Sequence, residues 1–343
     1  MNRKLLVVYT GGTIGMVASG KGYVPSPDFR GRLQRHLDLP GLDVIELDRL
    51  IDSANLTPSD WTGIARVLES HWNSYDGFVV LHGTDTMAYT ASALSYMLCG
   101  CDKPVILTGA QIPLDQDRSD ALDNVTTALA MAAMPHLREV CIYFRNRLLR
   151  GNRARKISTN GLCAFDSPNA PWLGDAGIEI RLRDEWLLPP GLPDFHIPEF
   201  DNRAVATLTL YPGIPAELIQ ATLGLPGLQS LIIHSYGAGN PPDANPALIQ
   251  ALEHGVNQGF TILNITQCLQ GKVSQNAYAT GAALDRIGVI PGSDLTPEAA
   301  FAKLHYLLAT GHKGQELRNG LMQPLCGDSG KPPHRSEPDL LLD

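Results

Sequence analysis

Short apolar runs along the chain alternate with stretches of helical spacing. Leu5–Tyr9, Phe78–Leu81, Val105–Leu107 and Val140–Phe144 are unbroken apolar runs, the pattern of strands covered on both faces. After the second run, Met87, Ala91, Leu94 and Leu98 fall at i, i+4, i+7 and i+11, which predicts a helix with one apolar stripe. Another helix is predicted from about Ser119 to Met134. Strands alternating with helices predict an α/β fold with a mostly parallel sheet and flanking helices.

The alternation fails between Leu187 and Asn202, where Pro189, Pro190, Pro193 and Pro198 punctuate the chain. Proline cannot donate to a ladder or continue a helix, so the stretch 188–202 reads as a linker. It separates a larger N-terminal domain, 1–187, from a smaller C-terminal α/β domain, 203–326. The second domain is predicted to hold strands at Val205–Leu210, Leu231–His234 and Thr261–Ile265. Its helices are expected near Pro246–Asn257 and Pro297–Thr310. The segment 327–343 carries Pro332, Pro333 and Pro338 and reads as a loosely ordered tail. A chain of 343 residues with 44% hydrophobic content is long enough for two cores of this kind. No repeat at solenoid periods is present.

The formal net charge of −8 gives the chain no general attraction for nucleic acid or anionic membrane surfaces. Basic residues do cluster at Arg145, Arg147, Arg150, Arg153, Arg155 and Lys156, and most of these charges read as a solvated or salt-bridged loop. No run approaches the ~18 apolar residues of a membrane span. Arg3 and Lys4 precede Leu5–Tyr9, but that run is shorter than a signal-peptide core and leads into Thr10-Gly11-Gly12. The expected location is therefore cytoplasmic. Six cysteines without a Cys-x-x-Cys pair or matching histidines predict neither a zinc site nor a disulfide framework. No metal and no cofactor are expected.

Three strands of the first domain end alike: Thr10-Gly11-Gly12-Thr13, His82-Gly83-Thr84-Asp85 and Thr108-Gly109-Ala110-Gln111. In an open parallel sheet, ligands bind beyond the carboxyl ends of the strands, and glycine there allows close backbone approach. The first loop lacks Gly-x-Gly-x-x-Gly, and no Walker lysine is present. Each residue also has a local reading. Asp85 can cap the helix that follows it. Thr84 and Thr86 can be turn residues, Lys156 a surface lysine, Tyr23 a loop aromatic, and Asp52 and Ser53 a polar turn.

Thr10-Gly11-Gly12-Thr13-Ile14-Gly15 and His82-Gly83-Thr84-Asp85-Thr86 resemble the two signature motifs of the bacterial L-asparaginases, and most closely those of the cytoplasmic type I branch. Asp52-Ser53-Ala54, Asp60-Trp61, Thr86 to Leu94, Arg150-Gly151-Asn152-Arg153 leading to Lys156, Ser235-Tyr236-Gly237, Thr266-Gln267-Cys268 and Lys303 to Leu308 extend the resemblance over about residues 4 to 325. It implies hydrolysis of L-asparagine by an activated threonine through an acyl-enzyme. The implied nucleophile is Thr13, polarised by Tyr23 on a lid over Val17–Pro25. The implied second group is Thr84, Asp85 and Lys156, with proton relay through the lysine; which threonine attacks first stays open. Substrate is expected to meet Asp52, Ser53, Thr84, Asp85 and Ala110, and a homodimer or homotetramer is expected.

Some relatives in this branch carry an effector asparagine site built from a glutamine, a threonine, an arginine and a cysteine. Gln111 and Cys268 match that pattern. Arg155 stands where the threonine would be and His234 where the arginine would be, so asparagine activation is expected to be weak or absent. A broader asparaginase–glutaminase, an ammonia-supplying amidotransferase subunit and a non-catalytic amino-acid sensor on the same fold remain alternatives.

Overall fold

The computed structural model describes residues 3–20, 22–25, 28–37, 42–275 and 279–330. They form two compact units divided between Ile197 and Pro198, inside the proline-rich stretch.

The first unit begins with β1 (Leu5–Gly11), the antiparallel hairpin β2 (Met16–Ser19) and β3 (Gly22–Pro25), α1 (Phe29–His36) and β4 (Asp43–Ile51). It continues through α2 (Pro58–His71), β5 (Gly77–Leu81), α3 (Met87–Met97), β6 (Val105–Thr108), α4 (Ala121–Ala132) and β7 (Val140–Phe144). The short strands β8 (Arg147–Arg150), β9 (Arg155–Lys156), β10 (Phe165–Asp166), β11 (Gly174–Ala176) and β12 (Ile180–Leu182) close it. Among the described residues the main sheet has the order β12-β11-β8-β7-β6-β5-β1-β4. Its core is parallel from β4 to β7. The remaining three strands join antiparallel.

The apolar runs explain this order. β5, β6 and β7 are buried at every position, as strands covered on both faces must be. The predicted stripe on α3 understates its burial: every residue from Met87 to Met97 except Tyr89 is buried. Its polar side chains are satisfied locally, Ser92 donating to the Ala88 carbonyl and Ser95 to that of Ala91. The helix expected from Ser119 starts at Ala121, because Asp120 turns its carboxylate toward the loop after β6 instead.

The second unit contains β13 (Val205–Thr209), α5 (Ala216–Leu223), β14 (Ser230–Ser235), α6 (Pro246–Asn257), β15 (Thr261–Thr266), α7 (Ala279–Arg286), β16 (Ile290–Pro291), α8 (Pro297–Ala309) and α9 (Gly314–Met322). Its four strands pair in chain order, all parallel. The expectation of a loose tail fails for Gly327–Gly330. Asp328 is fully buried and pairs at 2.9 Å with the equally buried Lys303, which also donates to the carbonyls of Leu321 and Gln323. A buried charge requires such pairing, and it ties Asp328 to α8. Residues 331–343 lie outside the described residues.

No helix among the described residues is long and apolar enough to cross a membrane. All six cysteines are free thiols.

Candidate functional site

The glycines that end β1 and β5 have a steric purpose. Gly11 and Gly12 take φ of 120° and 87°, a region L side chains rarely adopt. A Cβ on Gly12 would lie 2.4 Å from the Gly83 Cα, and one on Gly83 would lie 2.4 Å from the Ser53 Oγ. The loops carrying Gly12 and Gly83 are therefore pressed together at backbone distance, with the Ser53 side chain against the second of them. The hydroxyl of Thr10 donates to the Leu81 carbonyl at 3.0 Å, and that of Thr86 to the Ser53 carbonyl at 2.8 Å, which fixes these loops further.

Thr13 opens a short 3-10 turn to Gly15. A buried Arg32 on α1 donates to the Gly15 carbonyl at 2.8 Å and pairs with Asp115. The Leu114 amide donates to the Ile14 carbonyl at 3.0 Å. The turn is thus held from two sides. β3 carries Tyr23 and packs near it. In the β2–β3 hairpin Tyr23 stands opposite Ala18, but its side chain, and with it the polarising role, lies outside the described residues. Asp52 accepts from the Ala54 amide and caps the turn Ser53–Asn55; Ser53 itself is buried.

Lys156 reaches the same place from the far side of the sheet order. The segment before it is pinned by two buried arginines. Arg150 donates to Glu139 at 2.6 Å and to the Trp186 carbonyl, and Arg153 donates to the Asn169 carbonyl at 2.8 Å. The solvated reading of the basic cluster is corrected for these two, both 2% exposed; Arg150 is salt-bridged, as that reading allowed, but in the core, where a guanidinium needs such partners. For Arg145 and Arg147, paired with Asp123 and Asp166, that reading holds.

The Lys156 Nζ donates to the Thr84 Oγ1 at 2.8 Å and to the Asp85 Oδ1 at 2.7 Å. Thr84 is buried, whereas the Asp85 side chain is 58% exposed and leaves its second oxygen open. The residue before α3 is Thr86, and no side chain caps that helix. Asp85 therefore serves the lysine rather than the helix. The Thr84 hydroxyl donates to the Gln111 Oε1 at 3.2 Å.

Ala110 is buried at the end of β6. Asp120 accepts from the amides of Gln111 and Ile112, and Asn124 donates to the Gly109 carbonyl at 3.0 Å. These anchors, like Arg32, have no sequence signature beyond a polar residue near a helix start. His82 lies behind the site, fully buried between the Gly83 carbonyl and the Thr90 hydroxyl. Burial pushes its imidazole down to about 4, so it is neutral at neutral pH.

The geometry links Thr84, Asp85, Gln111 and Lys156 by hydrogen bonds, with Ser53 beside Gly83 and with Thr13 and Ala110 on loops that run close to the same strand ends. Arg155 sits on β9 opposite Asp166. His234 lies on β14 and Cys268 is an exposed thiol after β15, both in the second unit.

The family model "Asparaginase, N-terminal" matches residues 4–187, and "Glutaminase/Asparaginase C-terminal domain" matches 204–321. The chain is 44% identical over 335 residues to an L-asparaginase 1 of Escherichia coli, covering 95% of this chain and 98% of that one. The crystal structure of L-asparaginase I from Vibrio cholerae is similar at a TM-score of 0.86 and 41% identity, covering 96% of this chain and all of the other. The thermostable L-asparaginase from Thermococcus kodakarensis is similar at a TM-score of 0.86 and 31% identity, with 95% and 99% covered.

Proposed function

The chain belongs to the asparaginase family, and on that premise we propose that Thr13 attacks the side-chain amide of L-asparagine while Thr84, Asp85 and Lys156 handle the protons. The reaction yields L-aspartate and ammonia. The observation that carries the reading is the lysine placed within 2.8 Å of a buried threonine and 2.7 Å of a half-exposed carboxylate. That arrangement suits proton relay.

An amide carbon is a poor electrophile and a hydroxyl a poor nucleophile, so the site must solve both problems. The Thr13 oxygen bonds to the amide carbon as its proton leaves, and the carbonyl oxygen becomes an oxyanion. The backbone N–H of Thr84, with help near Ala110, holds that charge; one such donor is worth about 3–4 kcal/mol of barrier. Collapse breaks the C–N bond, and the leaving nitrogen takes the proton that Thr13 gave up and departs as ammonia. Water then attacks the ester on Thr13. A proton from that water restores the Thr13 hydroxyl, by way of the Thr84–Lys156 relay, as the ester C–O bond breaks and aspartate leaves. Asp85 holds the lysine through one oxygen and offers the other to the substrate ammonium. Ser53, in the turn capped by Asp52, donates to the α-carboxylate.

The protein acts in the cytoplasm as a homodimer or homotetramer. Effector activation by asparagine is weak or absent, because Arg155 and His234 replace a threonine and an arginine. An arginine grips a carboxylate with two parallel bonds, which a neutral histidine cannot do.

Ammonia release by the purified protein from asparagine, measured beside glutamine, tests the reading. Turnover of asparagine well above glutamine supports it. Comparable rates make the protein an asparaginase–glutaminase, a choice governed by one methylene worth only about 1–3 kcal/mol. No release from either substrate refutes the catalytic assignment.

A further inference from the structure

We propose that Gln111 is a positioning residue for catalysis, which fixes where the Thr84 hydroxyl proton points. The inference rests on the reading of Thr84 and Lys156 given above, and extends it to a residue whose resemblance-based role is effector binding.

Gln111 is immobilised at both ends. Its backbone N–H donates to both carboxylate oxygens of the buried Asp120, each at 3.1 Å. Its side-chain Nε2 donates to the Thr159 carbonyl at 3.1 Å and to the Gly161 carbonyl at 3.3 Å. A primary amide has two donors on nitrogen and none on oxygen. With both donors directed at carbonyls, the Oε1 can only face Thr84, where it accepts the hydroxyl at 3.2 Å.

Thr84 has one proton, and this bond assigns it. The contact between the Lys156 Nζ and the Thr84 Oγ1 at 2.8 Å must then run from lysine to threonine. A hydroxyl oxygen has two acceptor lone pairs. One takes the lysine, and the other remains to accept a hydrogen bond from the attacking water. Gln111 thus sets the oxygen of Thr84 as an acceptor rather than a donor toward the reaction. Thr159 and Gly161 lie in the loop joining β9 to β10, directly after Lys156. The amide therefore locks Thr84 and the lysine-bearing hairpin into one unit.

The test measures steady-state kinetics on asparagine for Gln111→Leu, Lys156→Met and the double variant. Gln111→Met is added in case the leucine protein does not fold. Loss of the bond is expected to lower kcat roughly tenfold, the scale of one neutral hydrogen bond, with KM changed less than about threefold, as for an interaction used only in the reacting state. In the Lys156→Met background the same change is expected to have no further effect on residual turnover, because both act through the Thr84 oxygen. A merely structural role for Gln111 gives additive losses, and that result overturns the inference. So does a Gln111→Leu protein with normal kcat whose only change is in the shape of the asparagine saturation curve, the signature of an effector contact. Near-normal turnover in folded Lys156→Met instead overturns the underlying reading of the site, and the inference falls with it.

Discussion

Replacing Lys156 by methionine removes the ammonium while keeping most of the side-chain volume. The wild-type nitrogen makes two short hydrogen bonds, to the Thr84 Oγ1 and the Asp85 Oδ1. Their stability value is small. The Lys156 side chain is 21% exposed and its partner carboxylate 58% exposed, so water screens the pair and about 0–1 kcal/mol is at stake. For a domain near 200 residues that corresponds to a midpoint shift of about 2–4 °C at most. The catalytic value is much larger, since a positioned acid–base group contributes about 100- to 10,000-fold, or roughly 3–5 kcal/mol of barrier. Lys156→Met is therefore expected to lose two to four orders of magnitude in kcat with near-normal KM and melting temperature. Coupled ammonia detection at saturating asparagine, with circular dichroism melts on the same samples, reads both quantities. A protein in which only KM rises shows a binding lysine, and a melting point lowered by more than about 10 °C shows a structural one. Either result refutes the relay.

Gly83→Ala should place a methyl 2.4 Å from the Ser53 Oγ and cost about 1–3 kcal/mol by overpacking; raised KM for asparagine and a lower midpoint in thermal melts are expected. The buried imidazoles of His82 and His305, each held down to about 4 mainly by burial, stay neutral in the fold but take a proton when unfolded below about 6.5. The unfolded state binds more protons in that window, so stability is full above it and falls on acidification, by about 2 kcal/mol per histidine at pH 5; urea titrations at pH 7 and pH 5 should show a smaller drop in His82→Gln than in the parent. Lys303→Met leaves Asp328 buried without its cation and should destabilise the second unit by about 3–5 kcal/mol; an unchanged urea midpoint would contradict that burial.

The parallel core was legible because its strands are apolar at consecutive positions: Val140–Phe144 needs no tertiary information to be read as a strand. β4 and α1 were less visible. β4 is an edge strand with charges along it, and α1 buries only Phe29, Arg32 and Leu33. Arg150 and Arg153 misled because a basic run looks solvated until the buried Glu139, or a backbone carbonyl across the fold, comes into view. At the site, sequence pattern alone placed Thr84 and Asp85 at a strand end suited to a ligand but left each a local reading, and left Lys156 a surface lysine; the resemblance gave them roles. Their meeting depends on a contact spanning 71 residues, which periodicity cannot encode. The partner of Gln111 was equally hidden, since an amide in a loop carries no directional signal until its two donors find carbonyls.

The most direct test of the central claim is to trap the acyl-enzyme. Protein mixed with asparagine, quenched in acid within one turnover and examined by intact and peptide mass spectrometry should carry one aspartyl group on the peptide containing Thr13. Thr13→Ala, folded and able to bind asparagine, should carry none and release almost no ammonia. An adduct on Thr84 instead, or near-normal turnover by folded Thr13→Ala, would contradict the assignment of Thr13 as the nucleophile.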